Sequence, residues 1–189
     1  MIPFSYLWPM QDTGHSLNEY VYSAEMVDFV SAANDLCGFL EELKGMESRP
    51  FITESVRLLP LVYSAYLRLE PTEPVSGEEE IWEPTVTEQD WSALYRQIAV
   101  LLGPHNDFLR PADSGEFDRS DLVTHTISED LADIYQELRD FSVIYGRGIE
   151  SLMNDAMWEL MVRFTEHWGE KLLRSLLALH LLYVREVDP

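Results

Sequence analysis

The chain of 189 residues has one cysteine, Cys37, so no intrachain disulfide can form, and it has no CxxC or CxH pair from which to build a structural zinc site. Cys37 lies in the apolar stretch NDLCGFL, the setting of a buried, inert thiol and not of a nucleophile. Basic residues are scarce: 13 Lys and Arg stand against 34 Asp and Glu, a formal net charge of -21. Such a chain repels phosphate backbones and anionic lipid, so neither direct nucleic-acid binding nor membrane binding is expected. The charge favours a basic protein partner, bound cations, or plain solubility. The longest apolar run, LLALHLLYV at 176–184, is too short to span a bilayer. MIPFSYLWPMQD has no basic residue ahead of its short apolar run, so it does not read as a signal peptide, and the cytoplasm is the expected compartment. Strand-like alternation and fixed-period repeats are missing as well.

What is present is helical. Hydrophobic residues make up 46% of the chain, enough to exclude global disorder. Over 17–45, Tyr22, Met26, Phe29, Ala33, Leu36, Leu40 and Leu43 alternate steps of four and three, which predicts one helix opened by Ser16 or Asn18 and closed at Gly45. A second helix is expected over 51–69, with a kink or restart at Pro60. Thr87, with Asp90 three residues on, caps a third helix that ends at Gly103-Pro104. Ser128 is expected to cap a fourth, ending near Tyr145, and the pattern from Ile149 to about Val184 stays helical with a break expected at Gly169. GRG at 146–148 is not a phosphate loop, because no strand precedes it and Ser151 stands where the third glycine belongs. The fold class is therefore all-α: an irregular bundle of five to six helices in a single domain over 1–189. Residues 1–16 form an N-terminal extension, and 70–87 and 103–127 are two long acidic or polar loops. The Ile81-Trp82 pair suggests that the first of these folds back and docks.

One stretch raises a chemical question. SEDLADIYQELRD, 128–140, carries Asp130, Asp133, Glu137 and Asp140 at helical spacing beside the apolar face of Leu131, Ile134 and Leu138. Arg139, the only cation of that helix, projects away from the stripe. Like charges one turn apart cost a few tenths of a kcal/mol per pair. The helix dipole compensates Asp130 and Asp133 in the first turns, but Glu137 and Asp140 need something else. Water, a cation from another helix, or a divalent metal would serve. His167 and Lys171, one turn apart near the apolar side of the last helix, are candidate ion-pair partners. Carboxylate oxygens are also the right ligands for Mg²⁺ or Mn²⁺. Asn154 and Asp155 could complete a carboxylate site from a second helix or bind a neighbouring loop; Glu159, with Arg163 and Glu166, reads as exposed ion pairing and as a further contributor. The scattered histidines make no HExxH pair, and no GxSxG elbow occurs.

TISEDLADIYQELRDF, MNDAMWEL, EHWGEKLLRSLLALH and RLLPLVYSAYL resemble an uncharacterised family of bacterial proteins catalogued as domain of unknown function 5063, over about residues 20 to 184. The resemblance implies an all-helical domain and carries no activity or catalytic residue. Glu137-Leu138-Arg139-Asp140 is also similar to the ExxD motif with which helical nucleoside-triphosphate pyrophosphatases of the MazG type hold Mg²⁺. The ExxE that those enzymes carry upstream is absent here, where the long loop lies. Two functions follow as expectations. The first is a non-enzymatic acidic helical protein that binds another, basic protein. The second is an Mg²⁺- or Mn²⁺-dependent hydrolase of nucleotides or other phosphate esters, its metal held by Asp133, Glu137 and Asp140 with Asp155 or Glu159 opposite. Only the second implies a cofactor. Neither specifies an oligomeric state.

Overall fold

Ser16 opens the first helix, α1 (Leu17–Val21), with a capping box: its hydroxyl accepts from the Glu19 amide, and the Glu19 carboxylate accepts from the Ser16 amide at 2.8 Å. The computed structural model describes residues 16–75, 84–111 and 122–187. The single helix expected over 17–45 is divided. Ser23 acts as a second N-cap, accepting from the Met26 amide at 3.2 Å, and α2 spans Ala24–Glu41. Helix α2 ends before Gly45, which serves the following turn with φ 79. Most of the predicted seam is kept: Met26, Phe29, Ala33, Leu36 and Leu40 are buried, as is Leu43 beyond the helix, whereas Tyr22, ahead of the Ser23 cap, is exposed.

Helix α3 (Ser48–Tyr66) continues through Pro60 without a restart. Pro60 is exposed, so the carbonyl that loses its donor one turn earlier can turn to water. The expected docking of Ile81-Trp82 lies outside the described residues. Thr87 and Asp90 form a full capping box for α4 (Glu88–Leu102), and Gly103, with φ 52, closes it into a 3₁₀ turn.

The segment 103–127 is not a plain loop. It holds an antiparallel hairpin of β1 (Asp107–Pro111) and β2 (Leu122–Thr126), in the register Asp107↔Thr126 to Pro111↔Leu122. Strand β2 runs directly into α5 (Ile127–Tyr145), so the cap of α5 is Thr126 and not Ser128. Ser128 sits buried inside the first turn, where the Asn106 side chain accepts from its amide at 2.9 Å and donates to its hydroxyl at 3.0 Å. A turn through Gly146 and Gly148 (φ 70) leads to α6 (Glu150–Arg163). The break expected at Gly169 is a π-turn, Phe164–Trp168, and α7 (Gly169–Val187) starts at that glycine. A Cβ on Gly169 would stand 2.6 Å from the Phe164 carbonyl oxygen, so only glycine fits under the widened turn.

Helices α2, α3, α7 and α5 pack in that cyclic order as the four corners of a bundle, with α2 and α7 at opposite corners. Helices α4 and α6 pack on α5, and α1 packs on α6. Phe29, Phe51, Phe141 and Trp168 are fully buried in the shared core, each contributing roughly 1.5–3 kcal/mol by burial. Tyr66 stacks on Phe164 with ring centroids 3.8 Å apart, which ties the end of α3 to the π-turn. The fold is an all-α bundle with one small hairpin, and among the described residues no helix is long and apolar enough to cross a membrane.

Candidate functional site

Helix α5 holds its four stripe carboxylates toward α4, the π-turn and α7, and each of them has a partner. At Asp130, Arg174 Nε donates to Oδ2 at 2.8 Å and Nη2 donates to Oδ1 at 2.5 Å. Both side chains are nearly out of solvent, with Asp130 at 3% and Arg174 at 12% exposure. At Asp133, Lys171 Nζ donates to Oδ2 and Trp91 Nε1 of α4 donates to Oδ1 at 2.7 Å. At Glu137, Arg163 Nη1 lies 3.2 Å away and His167 Nδ1 3.8 Å. At Asp140, a single oxygen accepts from the Thr85 amide at 2.7 Å, the Thr85 hydroxyl at 2.6 Å and the Val86 amide at 2.8 Å.

The first three form an antiparallel ladder. The acids advance along α5 at 130, 133 and 137, and the bases retreat at 174, 171, 167 and 163, both in steps of three or four. Side chains so spaced share one face of each helix, and two such faces zip together when the helices lie side by side in opposite senses. Asp140 does different work: it fastens the chain just before the Thr87 cap and so sets where α4 begins.

Burial pushes the Glu137 carboxyl above its ordinary range, and the Arg163 guanidinium offsets only part of that. Arg163 also takes Glu159 at 2.5 Å, so Glu159 faces its own helix partner. The cleft beside Glu137, Asp140, Glu159 and Arg163 measures about 60 Å³, room for a couple of water molecules. Pockets that hold nucleotide-sized ligands run to about 300–1,000 Å³. The ExxD pair is therefore occupied at both ends, Glu137 by a guanidinium and Asp140 by three donors. Among the described residues no group of three or more His, Cys, Asp or Glu converges as metal ligands.

The α6 residues turn to a loop. Asn154 donates to the Glu73 carbonyl at 2.7 Å and accepts from the Thr72 hydroxyl at 2.5 Å, and Asp155 accepts from the Val75 amide at 2.8 Å. They pin the segment 72–75 along α6. Arg139 pairs with Glu41 of α2 at 3.2 Å, away from the stripe. Cys37 is fully buried and its thiol is pushed up to about 12, chiefly by burial.

Sequence reasoning missed five partners of the stripe: Arg163, Arg174, Trp91, Thr85 and Val86. The complementary steps on the last helices are the signal that points to the two arginines. It also missed an apolar groove of about 440 Å³ at the π-turn, lined by Tyr63, Tyr66, Leu67, Met161, Phe164 and Leu173.

Fold and site together define a helical-bundle domain in which, among the described residues, the carboxylates of α5 are engaged in holding its own helices and the segment before α4. The chain belongs to the family described as domain of unknown function DUF5063, whose model matches residues 20–185. It is similar to the crystal structure of protein BF1032 from Bacteroides fragilis, a structural genomics target. The two share 30% identity and a TM-score of 0.75, over 85% of this chain and 93% of that one. Among curated proteins none matches.

Proposed function

We propose that this is a non-enzymatic acidic helical protein that binds another protein through charge, its partner presenting a basic surface. The observation that carries the reading is the saturation of the α5 stripe: the carboxylates best spaced for chemistry are committed to Arg174, Lys171, Arg163, Trp91 and the Thr85–Val86 backbone. The surplus acid is presented elsewhere. Helix α2 carries Glu25, Asp28, Asp35 and Glu41, all exposed, and no Lys or Arg of its own; Arg68 takes Asp28 at 3.1 Å and Arg139 takes Glu41 at 3.2 Å, so Glu25 and Asp35 are the acids it offers a partner. An acidic excess of this kind steers a basic partner and repels nucleic acid.

The test is capture of partners with the immobilised full chain at low and high salt, beside a variant carrying Glu25→Gln, Asp35→Asn and, at the exposed residue that follows α2, Glu42→Gln. A partner held by the wild type at low salt, weakened by salt and lost with the variant is the expected result. Capture that is clean of specific partners, or indifferent to those three changes, overturns the reading. The metal-dependent hydrolase reading is tested in parallel by thermal unfolding with Mn²⁺, Mg²⁺ or EDTA. A metal at 100 times its dissociation constant adds about 2.7 kcal/mol, and an absent shift removes that reading.

A further inference from the structure

Helix α7 is apolar on two sides, and the bundle uses one. Leu172, Ala178 and Leu179 are buried against the core. Leu173, Leu177, Leu181 and Val184 point outward, 46%, 61%, 49% and 45% exposed. Their steps of four, four and three keep them within a sector of about 80°. The neighbouring α3 adds Leu61, and Leu67 follows its last turn, at 49% and 50% exposure. Scattered apolar surface residues need no explanation, but five leucines and a valine on two adjacent helices and the turn that follows one of them do.

Charge sets this face apart from the rest of the molecule. Helices α3 and α7 hold only three of the chain's 34 acidic residues (Glu54, Glu170 and Glu186); of their five basic ones Lys171 and Arg174 turn inward to α5, and Arg49, Arg57 and Arg185 balance the three acids, so this side is close to neutral. A basic partner of the kind the acidic α2 face would attract gains nothing here. Two copies of a chain with net charge -21 repel each other in most orientations, and least when these faces meet.

We propose that a second copy of this chain covers the α3–α7 face, the two α7 helices pairing antiparallel about a twofold axis. The stripe is self-complementary in that arrangement. Leu173 comes opposite Val184 of the second copy, and Leu177 opposite Leu181 of the second copy. Glu170, with its side chain 57% exposed, is brought to the end where the second copy carries Arg185. The apolar groove at the π-turn, of which Leu173 is one wall, lies at the same end, next to Val184 of the second copy. Because α2 occupies the corner opposite α7, the dimer keeps both acidic α2 faces outward.

The test is sedimentation velocity of the full chain from low to high micromolar concentration, with Leu177→Glu, Leu181→Glu and, as control, Val100→Glu on α4, where Val100 is 83% exposed. Wild type and Val100→Glu sediment as dimers. Leu177→Glu and Leu181→Glu raise the dissociation constant at least about thirtyfold while circular dichroism and the thermal midpoint of the monomer stay unchanged. Because both changed residues are already exposed, the variants fold. A wild type that is monomeric at the highest concentration, or stripe variants that dimerise as it does, overturns the proposal and gives the face to a different partner.

Discussion

Arg174 of α7 closes on both oxygens of Asp130 at the start of α5, at 2.8 and 2.5 Å, with Asp130 almost wholly out of water. A two-pronged contact fixes the rotation and the register of two helices at once. Taking both ions out of water has a cost, so the pair's net contribution to stability is small, whereas removing one member strands the other. Arg174→Met leaves Asp130 uncompensated and destabilises the fold by about 3–5 kcal/mol. Asp130→Asn costs less, since Arg174 keeps Glu170 at 3.2 Å. Urea unfolding of both variants and of the double replacement checks this, the double variant being more stable than the sum of the singles predicts.

Asp140 carries three donors on one oxygen, and two of them are the backbone amides that lead into α4. Asp140→Ala removes the acceptor and leaves the Thr87–Asp90 box intact. Hydrogen exchange at the Thr85 and Val86 amides should accelerate at least tenfold, with a global loss of about 1–2 kcal/mol. Unchanged exchange at those amides would mean that another acceptor replaces the carboxylate.

The α5 stripe was legible because helical periodicity fixes which side chains share a face. Lys171 stood out as a partner for the same reason. Arg163 and Arg174 did not, because each has a local glutamate four residues before it, Glu159 and Glu170, that accounts for it without any tertiary contact. Helix-to-helix register is a property of packing, and the matching steps on the two strands of the ladder become informative only once the helices are known to be antiparallel. The hairpin was hidden because LVTHT is short, lies in a polar segment and is continuous with the cap of α5. The division of the first helix at Ser23 left no mark on the apolar seam, which carries on across it. At Gly169 a break was visible, but its nature was not: a single widened turn keeps the helical direction and changes only which side chains face inward.

Gly169 is held against the Phe164 carbonyl, where a Cβ would come to 2.6 Å from backbone oxygen. Backbone cannot swing aside as a side chain does, so Gly169→Ala must unwind the π-turn and unstack Phe164 from Tyr66. The expected loss is about 2–3 kcal/mol in urea unfolding, with weakened near-ultraviolet dichroism from Tyr66 and Trp168. Gly38→Ala on α2, where a Cβ meets nothing within 4 Å, is the control and should be neutral or stabilising.

Glu137 supplies a pH signature. Its carboxyl is raised in the folded chain, first by burial, with Arg163 opposing. A carboxyl raised on folding binds its proton more tightly in the native state than in the unfolded one. Its contribution is therefore fully favourable at low pH, and is lost as the pH rises through the range between its unfolded value near 4.5 and its raised folded value. At neutral pH the ionised group is a net burden that its arginine only partly relieves. Glu137→Gln removes that burden, and Arg163 still has Glu159 at 2.5 Å. The variant should thus be at least as stable as the wild type at pH 7, by up to about 1 kcal/mol, and the difference should vanish toward pH 4. Asp130→Asn should instead be destabilising at pH 7, because it weakens a two-pronged contact with an arginine only 12% exposed. Paired thermal scans from pH 4 to pH 8 separate the two. A Glu137→Gln chain that loses stability at pH 7 would mean that the Arg163 contact outweighs the burial, and that the ladder holds through this rung as firmly as through Asp130.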